Sequence, residues 1–144
     1  PSGRVFAVDV DPDKLDELNE RLVDNDIEHV TSVYNVESNP MLPVNTLDAA
    51  LVRNAYHHFT AHESMLRHIK AALKPGGRLV IEESIDEDMI GKSRAEQVDA
   101  HDLGIEYVRE ELTAAGFTIQ EEVNPLMETN WGIYWMIVAT RPES

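Results

Sequence analysis

Cysteine is absent from the 144-residue sequence, which excludes a disulfide framework, a thiolate metal site and thiol catalysis, and which suits a reducing compartment. Basic residues are scarce: 12 Lys and Arg stand against 27 Asp and Glu, for a formal net charge of −15. Such a surface repels phosphate backbones and anionic lipid head groups, so neither nucleic acid nor membrane is an expected partner. No apolar run approaches the roughly 20 residues of a membrane span, and no basic segment followed by an apolar signal core opens the chain. The chain is read as cytoplasmic. A further lack is positional. The apolar run "RVFAVDVDP" ends in acids of the kind found where mononucleotides dock, yet no glycine-rich loop stands ahead of it.

What is present points to a folded α/β domain. Apolar residues make up 42% of the chain, with two Trp, four Tyr and three Phe, enough to bury a core in one domain. Val5 to Val10 reads as a strand, followed by Asp11 as N-cap and Pro12 at the first position of a helix whose apolar stripe is Leu15, Leu18 and Leu22. His29 to Val36 reads as a second strand and Leu47 to Val52 as a third. A helix is expected over Ala61 to Leu73, stopped by "KPGG" at Lys74 to Gly77, with Thr60 and Glu63 spaced as a capping box at its start. Arg78 to Glu83 is a further strand, Ser84 to about Ala100 an acidic irregular stretch, and Ile105, Val108 and Leu112 mark a helix closed by Gly116. Thr118 to Val123 and Ile133 to Thr140 are joined too closely for a crossover helix and should pair antiparallel. The result is an α/β domain with a mainly parallel sheet ending in an antiparallel hairpin.

Asp9, at a strand end before a helix, is an acceptor-only carboxylate suited to both hydroxyls of a ribose, while Asp11 caps the helix. Four segments in this order, "RVFAVDVDP", "LDAALVRNAYHHF", "ALKPGGRLVIEES" and "AAGF" with the terminal hairpin, resemble the class I S-adenosylmethionine-dependent methyltransferases from Arg4 to the end. The resemblance implies a three-layer Rossmann-like domain, S-adenosylmethionine as cofactor and a small-molecule methyl acceptor. Asp9 then matches the ribose acid and Val10 the apolar residue beside the adenine. In "YNVES" the usual adenine-binding acid is replaced, leaving Asn35 or Glu37 for the amino group with Val36 alongside. Arg53 and Asn54 match the strand end beside the methionine part of the cofactor.

Against that pattern the first strand and its glycine loop are missing. In the family's sheet order of three, two, one, four, five, seven, six, removing strand one separates two half-sheets. Buried unpaired edges are costly and invite pairing with another chain. The chain is therefore expected to be a C-terminal piece of a longer protein that by itself binds cofactor weakly or not at all, with a homodimer through open sheet edges as a candidate assembly. Two rival readings remain: a truncated non-catalytic Rossmann-like module, and a fragment of a nicotinamide-dependent dehydrogenase, for which Asp9 is equally suitable.

The segment "NAYHHFTAHESMLRH" concentrates four histidines. Zinc hydrolases require H-E-x-x-H, and His62 and His68 are spaced six apart, so no metal site is expected. Tyr56, His57 and His58 instead fall at the carboxyl edge of the sheet, where ligands dock in open α/β folds. A histidine suits removal of an acceptor's proton, which makes His57 and His58 the catalytic candidates and Tyr56 a substrate contact. Glu82 is placed on the substrate side and His101 over the pocket as a lid. Glu83, Asp86, Glu87 and Asp88 read as a solvated acidic loop, and Trp131, Tyr134 and Trp135 as hairpin core and interface.

Overall fold

The computed structural model describes residues 3–143. β1 (Val5–Asp9) runs parallel to β2 (Val30–Tyr34), in register from Val5 opposite Val30 to Asp9 opposite Tyr34. The connecting α1 (Pro12–Asp24) begins as its sequence dictates: Asp11 accepts from the Asp13 N–H and Pro12 opens the first turn.

The remaining strands form a second sheet in the order β3-β4-β6-β5. β3 (Leu47–Arg53) and β4 (Leu73–Ile85) are parallel, with α2 (His62–Ala72) between them in sequence. β5 (Thr118–Thr129) and β6 (Gly132–Thr140) make the expected antiparallel pair, and β6 lies between β5 and β4. The sheet is mixed and the fold is α/β, as the sequence led one to expect.

The core is unevenly shared. On β4, Leu79, Ile81 and Ile85 alternate inward and meet Trp135, Ile137 and Ala139 of β6. Met65, Leu66 and Ile69 of α2, and Ile105, Val108 and Leu112 of α4 (Ile105–Ala114), join the same cluster. From β1, α1 and β2 only Leu15 is buried among the apolar side chains. Among the described residues β1 pairs only with β2 and β3 only with β4, so no ladder joins the two sheets. Val5 on β1 is 51% exposed and Leu51 on β3 is 66% exposed, unlike the doubly covered strands of a continuous parallel sheet. The halves are tied through the loop after β2, where His68 Nδ1 lies 3.1 Å from the Ser38 carbonyl and the Thr60 hydroxyl donates to Glu37.

Three local expectations are corrected. The capping box at Thr60 and Glu63 does not form: α2 starts at His62 behind Ala61, and Thr60 is engaged by Glu37. The reciprocal box is made by Ser93 and Glu96 at α3 (Arg94–Asp99), inside the stretch read as irregular. "KPGG" does not end in a loop before the strand. It forms a bulge within β4, between the pairings of Leu47 with Leu73 and Ala49 with Arg78, and Gly76 there takes φ +74°.

Candidate functional site

The site grows from the end of β3. Asn54 adopts a left-handed φ of 48° and its N–H bonds to the Glu82 carbonyl at 2.8 Å. The chain then turns into a short 3-10 helix, Tyr56–His58. Its N-cap is Ala55, which offers no side-chain acceptor, so the first N–H groups need a partner from elsewhere. Glu83 of β4 supplies it: Oε1 accepts from the N–H of Tyr56 at 2.5 Å and of His57 at 3.2 Å, and Oε2 lies 2.9 Å from His57 Nδ1. One buried carboxylate thus caps the turn and orients an imidazole. As a carboxylate Glu83 only accepts, so the shared hydrogen sits on His57 Nδ1.

His57 is 4% exposed, whereas His58 stands at the surface. Their rings are 4.0 Å apart between centroids. His101 joins them at 5.8 Å from His57 and 5.6 Å from His58. It arrives there from the end of α3, where its N–H bonds the Val98 carbonyl and that of Asp102 bonds the Gln97 carbonyl, the two bonds of a Schellman motif. That motif places its left-handed residue at His101, with φ 62°, a position normally held by glycine. Buried Gln97 anchors the segment by donating to the Met89 carbonyl and accepting from the Gly104 N–H at 2.8 Å. The Leu103 N–H ties it back to Ser84 of β4.

The electrostatics follow from this crowding. Partial desolvation, reinforced by His57 and His101, holds the His58 imidazole below the ordinary histidine value. Burial, with Asp86 adding to it, raises the Asp102 carboxyl. Burial also pushes the Tyr56 hydroxyl far up, helped by Glu111.

The expected site residues divide into two groups. His57, His58 and His101 are brought together. Asp9 lies at the end of β1, with Oδ1 accepting from the Asp11 N–H at 2.9 Å; among the described residues Oδ2 has no such bond. Val10 and Val36 are exposed beside it in sequence and across the pair of strands. Asn35 is buried, and among the described residues its Oδ1 has no hydrogen-bond donor. Arg53 Nε pairs with Glu82 Oε1 at 3.0 Å, so these two candidates neutralise one another. Tyr56 is corrected: its ring is fully buried in the core and its hydroxyl donates to Glu111 at 2.8 Å, so it does not line the pocket mouth. Glu83 is corrected in the opposite sense, from solvated loop to buried hub. The alternation of Leu79, Ile81, Glu83 and Ile85 was the available signal, since period two puts Glu83 on the core face. Trp131 is 82% exposed at the hairpin tip, while Trp135 is buried and its Nε1 donates to the Leu103 carbonyl.

An acid at the end of β1, an α/β sheet and a C-terminal antiparallel pair agree with the Rossmann-like methyltransferase fold that the sequence resembles. Residues 1–81, more than half of the chain, match the methyltransferase domain family, and the chain belongs to that family. A demethylmenaquinone methyltransferase of Anoxybacillus flavithermus is 26% identical over 91 residues, which are 63% of this chain. The match spans 38% of the length of that curated relative. Among solved structures, a SAM-dependent methyltransferase from Aquifex aeolicus superposes with a TM-score of 0.77 at 21% identity, covering 96% of this chain and 69% of that one. The [4+2]-cyclase SpnF superposes at 0.84 with 16% identity, covering 99% and 67%. The latter bears the name of a cyclase, so the fold alone does not select methyl transfer. The family match removes the nicotinamide-dehydrogenase reading.

Proposed function

We propose that the protein takes part in methyl transfer from S-adenosylmethionine to a small-molecule acceptor. The observation that carries this reading is the family match over residues 1–81, within which, among the described residues, Asp9 Oδ2 at the end of β1 accepts no hydrogen bond. The residues fit the cofactor: Asp9 Oδ2 accepts the ribose hydroxyls, Val10 and Val36 flank the adenine, and Asn35 Oδ1 accepts from its amino group. Arg53 and Asn54 border the methionine part. When bound, S-adenosylmethionine supplies an electrophilic methyl on a sulfonium, so the protein's task is mainly alignment. His58, held below the ordinary histidine value, takes the acceptor's proton at Nε2 or Nδ1, and His57 is fixed behind it by Glu83. Glu82 and His101 stand on the acceptor side.

Calorimetric titration with S-adenosylhomocysteine tests the reading. Asp9→Ala should weaken binding at least about 10-fold, or ~1.4 kcal/mol, with the far-UV spectrum unchanged. Equal affinity in both proteins would remove Asp9 from the site.

A second reading rests on the exposed Val5 and Leu51 of β1 and β3: a module that covers open strand edges by forming a homodimer. Light scattering during size-exclusion chromatography separates the two, because a monomer that binds S-adenosylhomocysteine excludes the dimer module.

A further inference from the structure

His57, His58 and His101 each offer a ring nitrogen, and these atoms lie within 4.8 Å of one another. We infer that the three imidazoles form a binding site for a divalent transition-metal ion of the zinc type, with a fourth coordination position left open. This departs from the expectation of no metal site, which considered only spacing along the sequence. The third ligand comes from 43 positions beyond His58 and reaches the pair through the fold alone.

Four features support it. A zinc–nitrogen bond of about 2.0–2.1 Å requires ligand nitrogens roughly 3.4 Å apart in a tetrahedron, and the exposed His58 and His101 can close the difference by side-chain rotation. His57 has its Nδ1 engaged by the Glu83 carboxylate at 2.9 Å, leaving Nε2 as the ligand atom. A carboxylate behind a ligating imidazole is the arrangement that fixes its tautomer and raises its basicity. His101 sits in a left-handed position at φ 62° that a glycine would occupy without strain, and strain retained at such a place accompanies function. The formal charge of −15 enriches cations around the protein.

Three protein ligands with an open fourth position describe a catalytic rather than a structural ion. The open position takes a hydroxyl oxygen or thiol sulfur of the acceptor as its anion, the proton passing to bulk water; with the ion bound, His58 is a ligand and not the base. The site itself does not depend on the methyl-transfer reading, because the imidazoles bind the ion whether or not the cofactor is present.

The test uses the full chain, stripped with chelator, dialysed against zinc and titrated separately with cobalt. One equivalent of zinc is expected, with the intense visible absorption of tetrahedral cobalt. His58→Ala and His101→Gly should each abolish that absorption, the glycine variant keeping its fold because it suits the left-handed turn. Glu83→Gln should lower affinity about 10- to 100-fold, and His29→Ala, on an exposed loop, should change nothing. Absence of stoichiometric metal, or unchanged binding in the His58→Ala, His101→Gly double variant, overturns the proposal. Since no cofactor is added, failure here leaves the S-adenosylhomocysteine titration unaffected.

Discussion

Replacing Glu83 is the most direct trial of the site's construction. Its carboxylate receives two backbone N–H groups and one imidazole N–H, at 2.5, 3.2 and 2.9 Å, in a position 1% exposed. Glu83→Ala leaves all three donors buried without a partner. Each such donor costs about 1–3 kcal/mol, so three together cost at least about 3 kcal/mol. Water entering the small cavity relieves part of this, so a loss of about 3–5 kcal/mol is expected, a large share of the 5–15 kcal/mol typical of a domain. With a urea m-value of about 2 kcal/mol/M, the unfolding midpoint should fall by roughly 2 M. Glu83→Gln keeps the shape and one oxygen for the backbone N–H groups, so its loss should be about 1–2 kcal/mol. Its amide NH₂ then faces His57 Nδ1, which must become an acceptor and move the hydrogen to Nε2. Nitrogen-15 NMR of the imidazole reads that tautomer change directly. An alanine variant within about 1 kcal/mol of the parent, or a parent His57 with no hydrogen on Nδ1, would refute the reasoning.

Other outcomes follow from the same structure. His101→Gly should hold or raise stability by up to about 1 kcal/mol, since it relieves a left-handed backbone, and denaturant titration checks this. Trp135→Phe deprives the Leu103 carbonyl of its donor at 2.8 Å and opens a cavity in the core, for a loss of about 2–3 kcal/mol, whereas Trp131→Phe at the exposed tip should stay within about 0.5 kcal/mol. Glu122 accepts two bonds from Arg109, at 2.7 and 2.6 Å, and this hydrogen bonding holds its carboxyl below the ordinary value. A lowered folded-state pKa means the contribution is present above the unfolded value and is lost as pH falls through the folded one. Both side chains being partly exposed, Glu122→Gln should remove less than about 1 kcal/mol at pH 7 and nothing at pH 2, as read from unfolding curves at the two pH values.

Local chemistry fixed much of this protein before any tertiary contact. The Asp11-Pro12 start of α1, the antiparallel terminal pair and the order of strands and helices are properties of neighbouring residues, so they were legible from the sequence. The placement of Asp9 at a strand end was legible for the same reason. What the sequence could not decide were contacts between distant segments. Thr60 had the spacing of a cap, but Glu37 took its hydroxyl. Tyr56 had the position of a pocket residue, but its aromatic ring gained more from the core and its hydroxyl found Glu111. Glu83 looked like one acid among five; period-two alternation put it on the core face, but the donors that hold it there come only with the 3-10 turn. His101 lay outside the histidine-rich segment until α3 and its left-handed cap carried it there. Spacing along the chain governs caps, turns and strand faces, whereas a site assembled from β3, β4 and the end of α3 exists only once the sheet and its connections have set the distances between them.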